Sequence, residues 1–573
     1  MDGIGLLYAD DAYVERLAAD PGTRPAGGAQ GLMGRQVAGR AFLDALLTHG
    51  RWDRLVAVVR DARSGATLKR FCQEHPSSRG RARRLRVVPE RRFLEDFLPA
   101  PPVGVLHHPS PPDPRHAWAR QHGGPHGVAL CGVTHTLASA GAVGMLGSLL
   151  TAPFEPYDAL VCTSRAVEAM VRAVVGAQAE FLRSRHGGAP ALGVRLERIP
   201  LGVDPDAFRP ATPDQRAAAR AALGIAPDEV VVLFVGRLAH HAKAHPYPLY
   251  RAAARAASRP GGPPVHLVLA GWAPNEPIRA AFQDGADRFA GGARVSLVDG
   301  TDPAIRRAVW HAADVFASPS DNLQETFGLV VVEAMASGLP VVASDWDGYR
   351  DLVVPGGTGL LAPTALVAGS LSDATARLLL GATSYDHFLA ECSQATAVDV
   401  EAFAEGVARL VADADLRRRL GAAGRARAES TFAWRHVILA YEALWASQDA
   451  ERRARLAAAG RAPAGAGRGP SCYPEPLVSF AGYPTRRLDA ADPVVAAPAA
   501  EAELPALLAA PLTSHAADRR VTDAAVLVAL LARAAVPRPL ADLDGVLARA
   551  GASPRAARAT IAWLLKYGLL RPA

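Results

Sequence analysis

The sequence predicts an α/β protein: two consecutive doubly wound domains, followed by a small, mostly helical C-terminal domain. Three observations predict it. From the start to about residue 200, short β-branched runs alternate with helical stretches, and that alternation implies a parallel sheet covered on both faces. The same pattern restarts after Gly202-Val203-Asp204-Pro205, a turn-like stretch suited to a hinge. At 573 residues the chain is also too long for one core, since roughly 150 residues per domain gives three or four units.

The strand candidates of the first half are Ile4–Tyr8, Leu55–Val59, Leu85–Val88, Val103–Leu106, Val128–Val133, Ala159–Thr163 and Leu196–Pro200. Helix-like segments such as Leu32–Thr48, Arg63–Glu74 and Arg165–Val175 lie between them. In the second half the strands are Val230–Val235, Val265–Ala270, Val295–Val298, Val315–Ser318 and Val341–Ser344, and Val400–Ala446 reads as helices that close this domain. The expected boundaries are therefore 1–200, 201–446, a linker at 447–500 and an appended module at 501–573. Ala, Gly, Arg and Pro dominate the linker from Arg452 onward, a composition that buries little. In the module, Thr522 is placed to cap a helix over Asp523–Ala534, and Ser553 followed by Pro554 opens a helix to Leu565 in cap-then-proline order.

Bulk composition narrows the function classes. No apolar run approaches the roughly 20 residues that span a bilayer, and Asp2, Asp10 and Asp11 near the start do not suit a secretory signal. Cys72, Cys131, Cys162, Cys392 and Cys472 form no CxxC pair, so neither a disulfide framework nor a zinc site is expected, and a reducing cytoplasm is the expected home. The net charge of +7 comes from arginines scattered among alanines rather than from a basic stripe. Lys69, Lys243 and Lys566 are the only lysines, which makes each one conspicuous where it stands.

The chemistry concentrates in the second half. Val230–Val235 runs into Gly236-Arg237, and Lys243 follows six residues after the arginine. Ligands of open α/β sheets gather at the carboxyl ends of strands. An arginine fork and a lysine point charge there suit a diphosphate, whereas two solvated cations are the ordinary alternative. The stronger signal runs from Ser318 through Glu325, Phe327, Gly328 and Leu329 into a helix that stops at Gly338. That helix is apolar almost all round, so it should be buried, with Glu333 in its middle calling for a partner or a ligand. The amides at its N-terminus offer free donors and a positive dipole end to an anion. His240, His241 and His245 have no spacing that defines a metal geometry.

Taken in order, these motifs resemble the retaining, nucleotide-sugar-dependent glycosyltransferases of family 4, and that resemblance implies the GT-B fold of two Rossmann-like domains facing across a cleft. The resemblance rests on Glu325-x7-Glu333 with Phe327-Gly328 between, Gly338-Leu339-Pro340 after, and Gly236-Arg237 with Lys243. Ile199-Pro200-Leu201-Gly202-Val203-Asp204 and Tyr157–Ser164 support it, and it covers roughly residues 1–446. It implies a hexosyltransferase in which Glu325 touches the donor sugar and the Phe327, Gly328 and Leu329 amides meet sugar or phosphates. It further implies that Glu333 accepts from the ribose hydroxyls, while Arg237 and Lys243 stabilise the departing diphosphate. His135, after the strand Val128–Val133, falls where the family carries an active-site histidine, with His107 and His108 as weaker acceptor-side candidates. Gly27 and Gly28, in Gly27-Gly28-Ala29-Gln30-Gly31, resemble the family's glycine loop near the donor phosphates, but the insertion Asp10–Ala26 sets them far from the first strand.

The same resemblance implies no cofactor and no metal. Asp345-Trp346-Asp347 has the DxD form that binds metal in another glycosyltransferase fold, but Asp413-Ala414-Asp415 and Asp542-Leu543-Asp544 share it, so the pattern is cheap in this chain. The expected partners are a nucleotide-sugar donor and an acceptor that is a glycan, a lipid or a small molecule. A protein partner through residues 501–573 and peripheral membrane association are compatible with the sequence. A nucleotide-sugar epimerase, a sugar phosphorylase or a non-catalytic sugar-nucleotide-binding scaffold shares such a fold, but none accounts as well for the joint spacing. The tail resembles a winged-helix module. Arg555 and Arg558 lie on its last helix without a basic stripe, so DNA binding is the lesser reading.

Overall fold

The computed structural model describes residues 3–13, 34–78, 84–124, 126–188, 190–459 and 472–573. They divide into two compact units, Met1–Gly469 and Pro470–Ala573.

The first unit holds both large sheets. The first sheet contains β1 (Ile4–Tyr8), β2 (Leu55–Val59), β3 (Leu85–Pro89), β4 (Val105–His107), β5 (Ala129–Val133), β6 (Ala159–Cys162) and β7 (Arg195–Arg198) in the order β3-β2-β1-β4-β5-β6-β7. The second contains β8 (Val230–Val235), β9 (Val265–Gly271), β10 (Arg294–Asp299), β11 (Val315–Ser318), β12 (Val341–Ser344) and β13 (Gly359–Ala362) in the order β10-β9-β8-β11-β12-β13. Every pairing in both is parallel. This is the doubly wound arrangement that the sequence predicts. The central strands are continuous apolar runs because helices cover both faces; β8 reads Val-Val-Val-Leu-Phe-Val, and its first five residues are buried.

In each sheet the strand order reverses between two neighbours, β1 and β4 in the first and β8 and β11 in the second. At such a switch point the two crossovers leave in opposite directions, which opens a crevice at the carboxyl ends of the strands. The carboxyl ends of the two sheets meet: Ser164, just after β6, donates from Oγ to the Thr326 carbonyl at 2.9 Å, and the Arg165 amide donates to Asp351 at 2.6 Å.

Arginine–aspartate pairs lock strand ends in both domains. Asp158 precedes β6 and binds Arg120 through both oxygens at 2.8 Å while accepting from the Leu130 and Glu155 amides; both side chains are fully buried. Asp314 precedes β11 and binds Arg216 at 2.5 Å and Arg220 at 2.6 Å.

Two features differ from the expected layout. The helices Val400–Ala412 and Ala414–Arg427 pack on the second domain, but the next helix, Trp434–Ala459, returns to the first. Its Trp434, Val437, Ile438, Tyr441, Leu444 and Trp445 belong to the first domain's core, and Gln448 donates to the Leu130 and Tyr157 carbonyls. The helix also runs 13 residues into the expected linker, because Ala and Arg favour helix and the Arg455–Glu451 and Arg453–Asp449 pairs lie four apart. The second difference is a lobe between β13 and the closing helices. It contains the antiparallel pair β14 (Thr364–Leu366) and β15 (Thr396–Val398) with the helices Ala374–Leu379 and Tyr385–Gln394.

The second unit has its own core, which includes Val494, Leu527, Leu531, Leu543, Ile561 and Leu564. Helices Ala524–Arg533, Leu540–Arg549 and Pro554–Lys566 pack with a three-stranded antiparallel sheet of β16 (Pro493–Ala496), β17 (Arg538–Pro539) and β18 (Leu570–Pro572). Order therefore begins upstream of residue 501, since β16 supplies the central strand. Asp523, not Thr522, caps the first of these helices, and Ser553 caps the last as expected.

Candidate active site

Two loops bracket the second switch point, one leaving β8 and one leaving β11. The β8 loop begins at Gly236, where a side chain would stand 3.2 Å from Lys243 Cε. Beyond it, a Cβ on Gly271 at the end of β9 would lie 1.8 Å from the Gly236 carbonyl oxygen, so position 271 must be glycine for these strand ends to close. The turn at 239–243 is held by the Lys243 amide donating to the Ala239 carbonyl at 2.9 Å. It points Lys243 back over the sheet.

There Lys243 meets the second loop. Its Nζ lies 2.5 Å from Glu325 Oε2. Burial alone would depress the ammonium, but the Glu325 carboxylate outweighs it and holds Lys243 above the ordinary lysine range. Burial likewise disfavours the Glu325 carboxylate, yet Lys243 and the amides of Phe327 and Thr326 hold it below its usual value. The pair is thus ionised on both sides. Arg237 donates to Gln324 Oε1 at 3.0 Å and to the Ala242 carbonyl at 3.2 Å; burial lowers its pKa, and Asp386 opposes that.

The β11 loop is fixed from several directions. Asn322 is fully buried; it donates to the His241 carbonyl at 2.8 Å and accepts from the Gln324 amide at 2.9 Å. Trp346 Nε1 donates to the Asn322 carbonyl at 3.2 Å. Gly328, at φ +103°, caps the helix Leu329–Ala336 with no side-chain oxygen on its amides, and a Cβ there would stand 2.4 Å from Tyr349 Cε1. Phe327 is a core residue packed edge-on to Phe432, and its amide is turned to the Glu325 carboxylate. Glu333 lies on this helix but is half-buried rather than enclosed, because its face of the helix is not covered like the Val331, Val332 and Met335 faces. No hydrogen bond or ion pair holds its carboxyl among the described residues, and burial pushes it up to about 7 against the opposing charges of Arg306 and Lys243.

Across in the first domain, His135 follows β5 and is half-buried, with burial and then Arg35 lowering it to about 4, so it is neutral at pH 7. His107 and His108 are not cleft residues. His107 packs among Phe42, Tyr441 and Trp445, and His108 against His116, because β4 is a central strand whose end is roofed by the returning helix. Gly27 and Gly28 lie outside the described residues. Among the described residues no group of three His, Cys, Asp or Glu side chains could hold a metal ion.

The switch-point geometry therefore gathers Gly236, Arg237, Lys243, Glu325, Phe327, Gly328, Leu329 and Glu333 on two adjacent loops and the helix that follows the second. Residues 229–380, which span all of them, match the family described as Glycosyl transferases group 1. The D-inositol 3-phosphate glycosyltransferase of Nocardia farcinica is 39% identical over 169 residues, 29% of this chain and 36% of that protein. That of Mycobacteroides abscessus is 36% identical over 244 residues, 42% of this chain and 50% of that protein. The chain spans half or less of the length of these curated relatives. Sucrose-phosphate synthase from Thermosynechococcus elongatus aligns with 79% of this chain and all of its own, at 23% identity and a TM-score of 0.47. Anabaena HepE in complex with UDP aligns with 80% of this chain and all of its own, at 16% identity and a TM-score of 0.48.

Two residues of this domain, Gln324 and Tyr385, escaped the sequence reading, and a third, Asp347, was set aside there as part of a DxD pattern. Gln324 relays Arg237 to Tyr385, whose hydroxyl lies 3.3 Å from Gln324 Nε2. Tyr385 belongs to the lobe after β13, which carries no motif in sequence. Asp347 stands in the turn after β12 at φ +49°, a conformation that sequence does not reveal.

Proposed function

We propose that the chain is a retaining hexosyltransferase that moves a hexosyl group from a nucleotide-diphosphate sugar to an acceptor hydroxyl. The observation that carries this reading is the ionised Lys243–Glu325 pair, 2.5 Å apart at the carboxyl end of the second switch point, with Arg237 beside it. A diphosphate brings negative charge to a strand end where two cations converge. In this reading residues 201–446 hold the donor and residues 1–200 face the acceptor.

Glu325, an acceptor-only carboxylate, takes hydrogen bonds from the donor sugar's hydroxyls. Glu333, half-buried and without a partner among the described residues, accepts from the ribose. The amides at the Gly328 cap, which no side chain caps, add donors for phosphate or sugar. As the glycosidic bond breaks, charge builds on the leaving diphosphate, and Arg237 and Lys243 stabilise it in place. Such preorganised electrostatic stabilisation contributes about 10²- to 10³-fold per donor. Neutral His135 offers one nitrogen as donor and one as acceptor toward the reacting sugar. The departing phosphate helps to take the acceptor proton on the same face, which retains the anomeric configuration. Two named relatives act on D-inositol 3-phosphate, which makes a polyol phosphate the first acceptor to test.

The test is a thermal-shift screen of UDP-, GDP- and ADP-sugars with Glu333→Ala and Lys243→Ala as controls, followed by NMR of the product's anomeric proton. Saturable stabilisation of the wild type by one donor class, loss of it in both variants, and an anomer matching the donor are expected. No shift with any nucleotide sugar, or an inverted anomer, contradicts the proposal.

A further inference from the structure

We infer that Asp347 is a specificity-determining residue that reads a hydroxyl of the donor's glycosyl group beside Glu325. The inference rests on the donor-site reading above and deepens it.

Asp347 is one of two described non-glycine residues with positive φ, at +49°. That conformation favours glycine, so an aspartate there costs backbone energy that its side chain must offset. The turn that carries it is pressed onto the donor loop. A Cβ on Gly348 would stand 2.5 Å from Phe327 Cα, and Tyr349 packs against Gly328 while its hydroxyl meets Ser318 Oγ at 2.9 Å.

The neighbouring polar groups of this turn are all engaged. Asp345 pairs with Arg350 at 3.2 Å, Trp346 donates to the Asn322 carbonyl, and Asp351 binds Arg165. Asp347 differs. One of its oxygens takes the Gly348 amide, while Oδ2 is buried with no hydrogen-bond partner. A buried polar atom left open is costly, and a ligand hydroxyl is the group that would satisfy it.

The chemistry of the two carboxyls is complementary. Glu325 is ionised by Lys243 and can only accept. Burial, and then the Glu325 charge, raise Asp347 well above the ordinary carboxylate value, which favours its protonated form, a group that can donate as well as accept. A sugar hydroxyl placed between them donates to Glu325 and accepts from Asp347. Asparagine preserves a donor and an acceptor at this position; glycine preserves neither and relieves the backbone.

Calorimetric titration of nucleoside diphosphate and of the matching nucleotide sugar into wild type, Asp347→Gly and Asp347→Asn tests this. Asp347→Gly should leave the Kd for the nucleoside diphosphate within about two-fold and weaken the nucleotide sugar about ten-fold, the loss of one good hydrogen bond. Asp347→Asn should restore most of that affinity. The Tm of Asp347→Gly should equal or exceed that of wild type. Unchanged affinity for both ligands, or an equal loss for both whatever the Tm, overturns the inference. A wild type that binds neither ligand overturns the donor-site reading, and this inference with it.

Discussion

Lys243 and Glu325 hold each other ionised, and that single pair sets the electrostatics of the donor loops. On the proposed function, Lys243→Ala leaves Glu325 a partly buried anion without its partner and removes a cation from the diphosphate; transfer should then fall by about 10²- to 10³-fold, read as kcat/KM. Glu333 makes a separate pH prediction. Its folded pKa of about 7 lies above the ordinary value of 4.5, so folding binds a proton between those values and stability falls as pH rises through them. Glu333→Gln removes that dependence. Its Tm, measured against wild type, should gain ground between pH 5 and pH 8. Nucleotide-sugar affinity should move oppositely, rising from pH 6 to pH 8 as Glu333 ionises to accept from the ribose, and flattening in Glu333→Gln. Asp321, also pushed to about 7 by burial, is present in both proteins and cancels in the comparison.

At the scale of elements, the strands were readable because doubly buried strands are uninterrupted apolar runs; Ile4–Tyr8, Leu55–Val59 and Val230–Val235 are read from sequence with the bounds they have in the structure. The lobe between β13 and the closing helices was not readable. Its strands are three residues long and its helices six and ten, too short for a periodicity to stand out. Yet this lobe touches the site through Tyr385, Gln324 and Arg237. Tyr385→Phe frees Gln324 to turn, so the KM for the donor should rise a few-fold while kcat changes less. Helix capping was legible where a short polar residue precedes proline, as at Ser553, whereas the destination of the helix Trp434–Ala459 depends on a surface offered by the first domain, which no local pattern encodes. The Arg120–Asp158 fork is likewise invisible in sequence. Its two groups are fully buried, so Arg120→Met leaves an uncompensated carboxylate and should cost about 3–5 kcal/mol in urea denaturation.

For the whole molecule, two compact units with separate cores predict separable behaviour: a fragment of residues 472–573 should unfold cooperatively by itself, as followed by circular dichroism against urea. Within it Arg558 is paired with Asp544 at 2.6 Å, which spends one of the two arginines of the last helix on an internal contact. The catalytic account rests on the first unit, where the motifs recognised in sequence lie on loops whose facing is set by the strand order. What sequence could not supply is the ionisation of those residues, because it arises from contacts between loops about 80 positions apart. The most direct measurement is a calorimetric titration of wild type and Lys243→Ala with the nucleotide sugar that most stabilises the protein. The account predicts saturable one-site binding to wild type and a loss of at least ten-fold in the variant at unchanged fold. Equal affinity in the two proteins would contradict it.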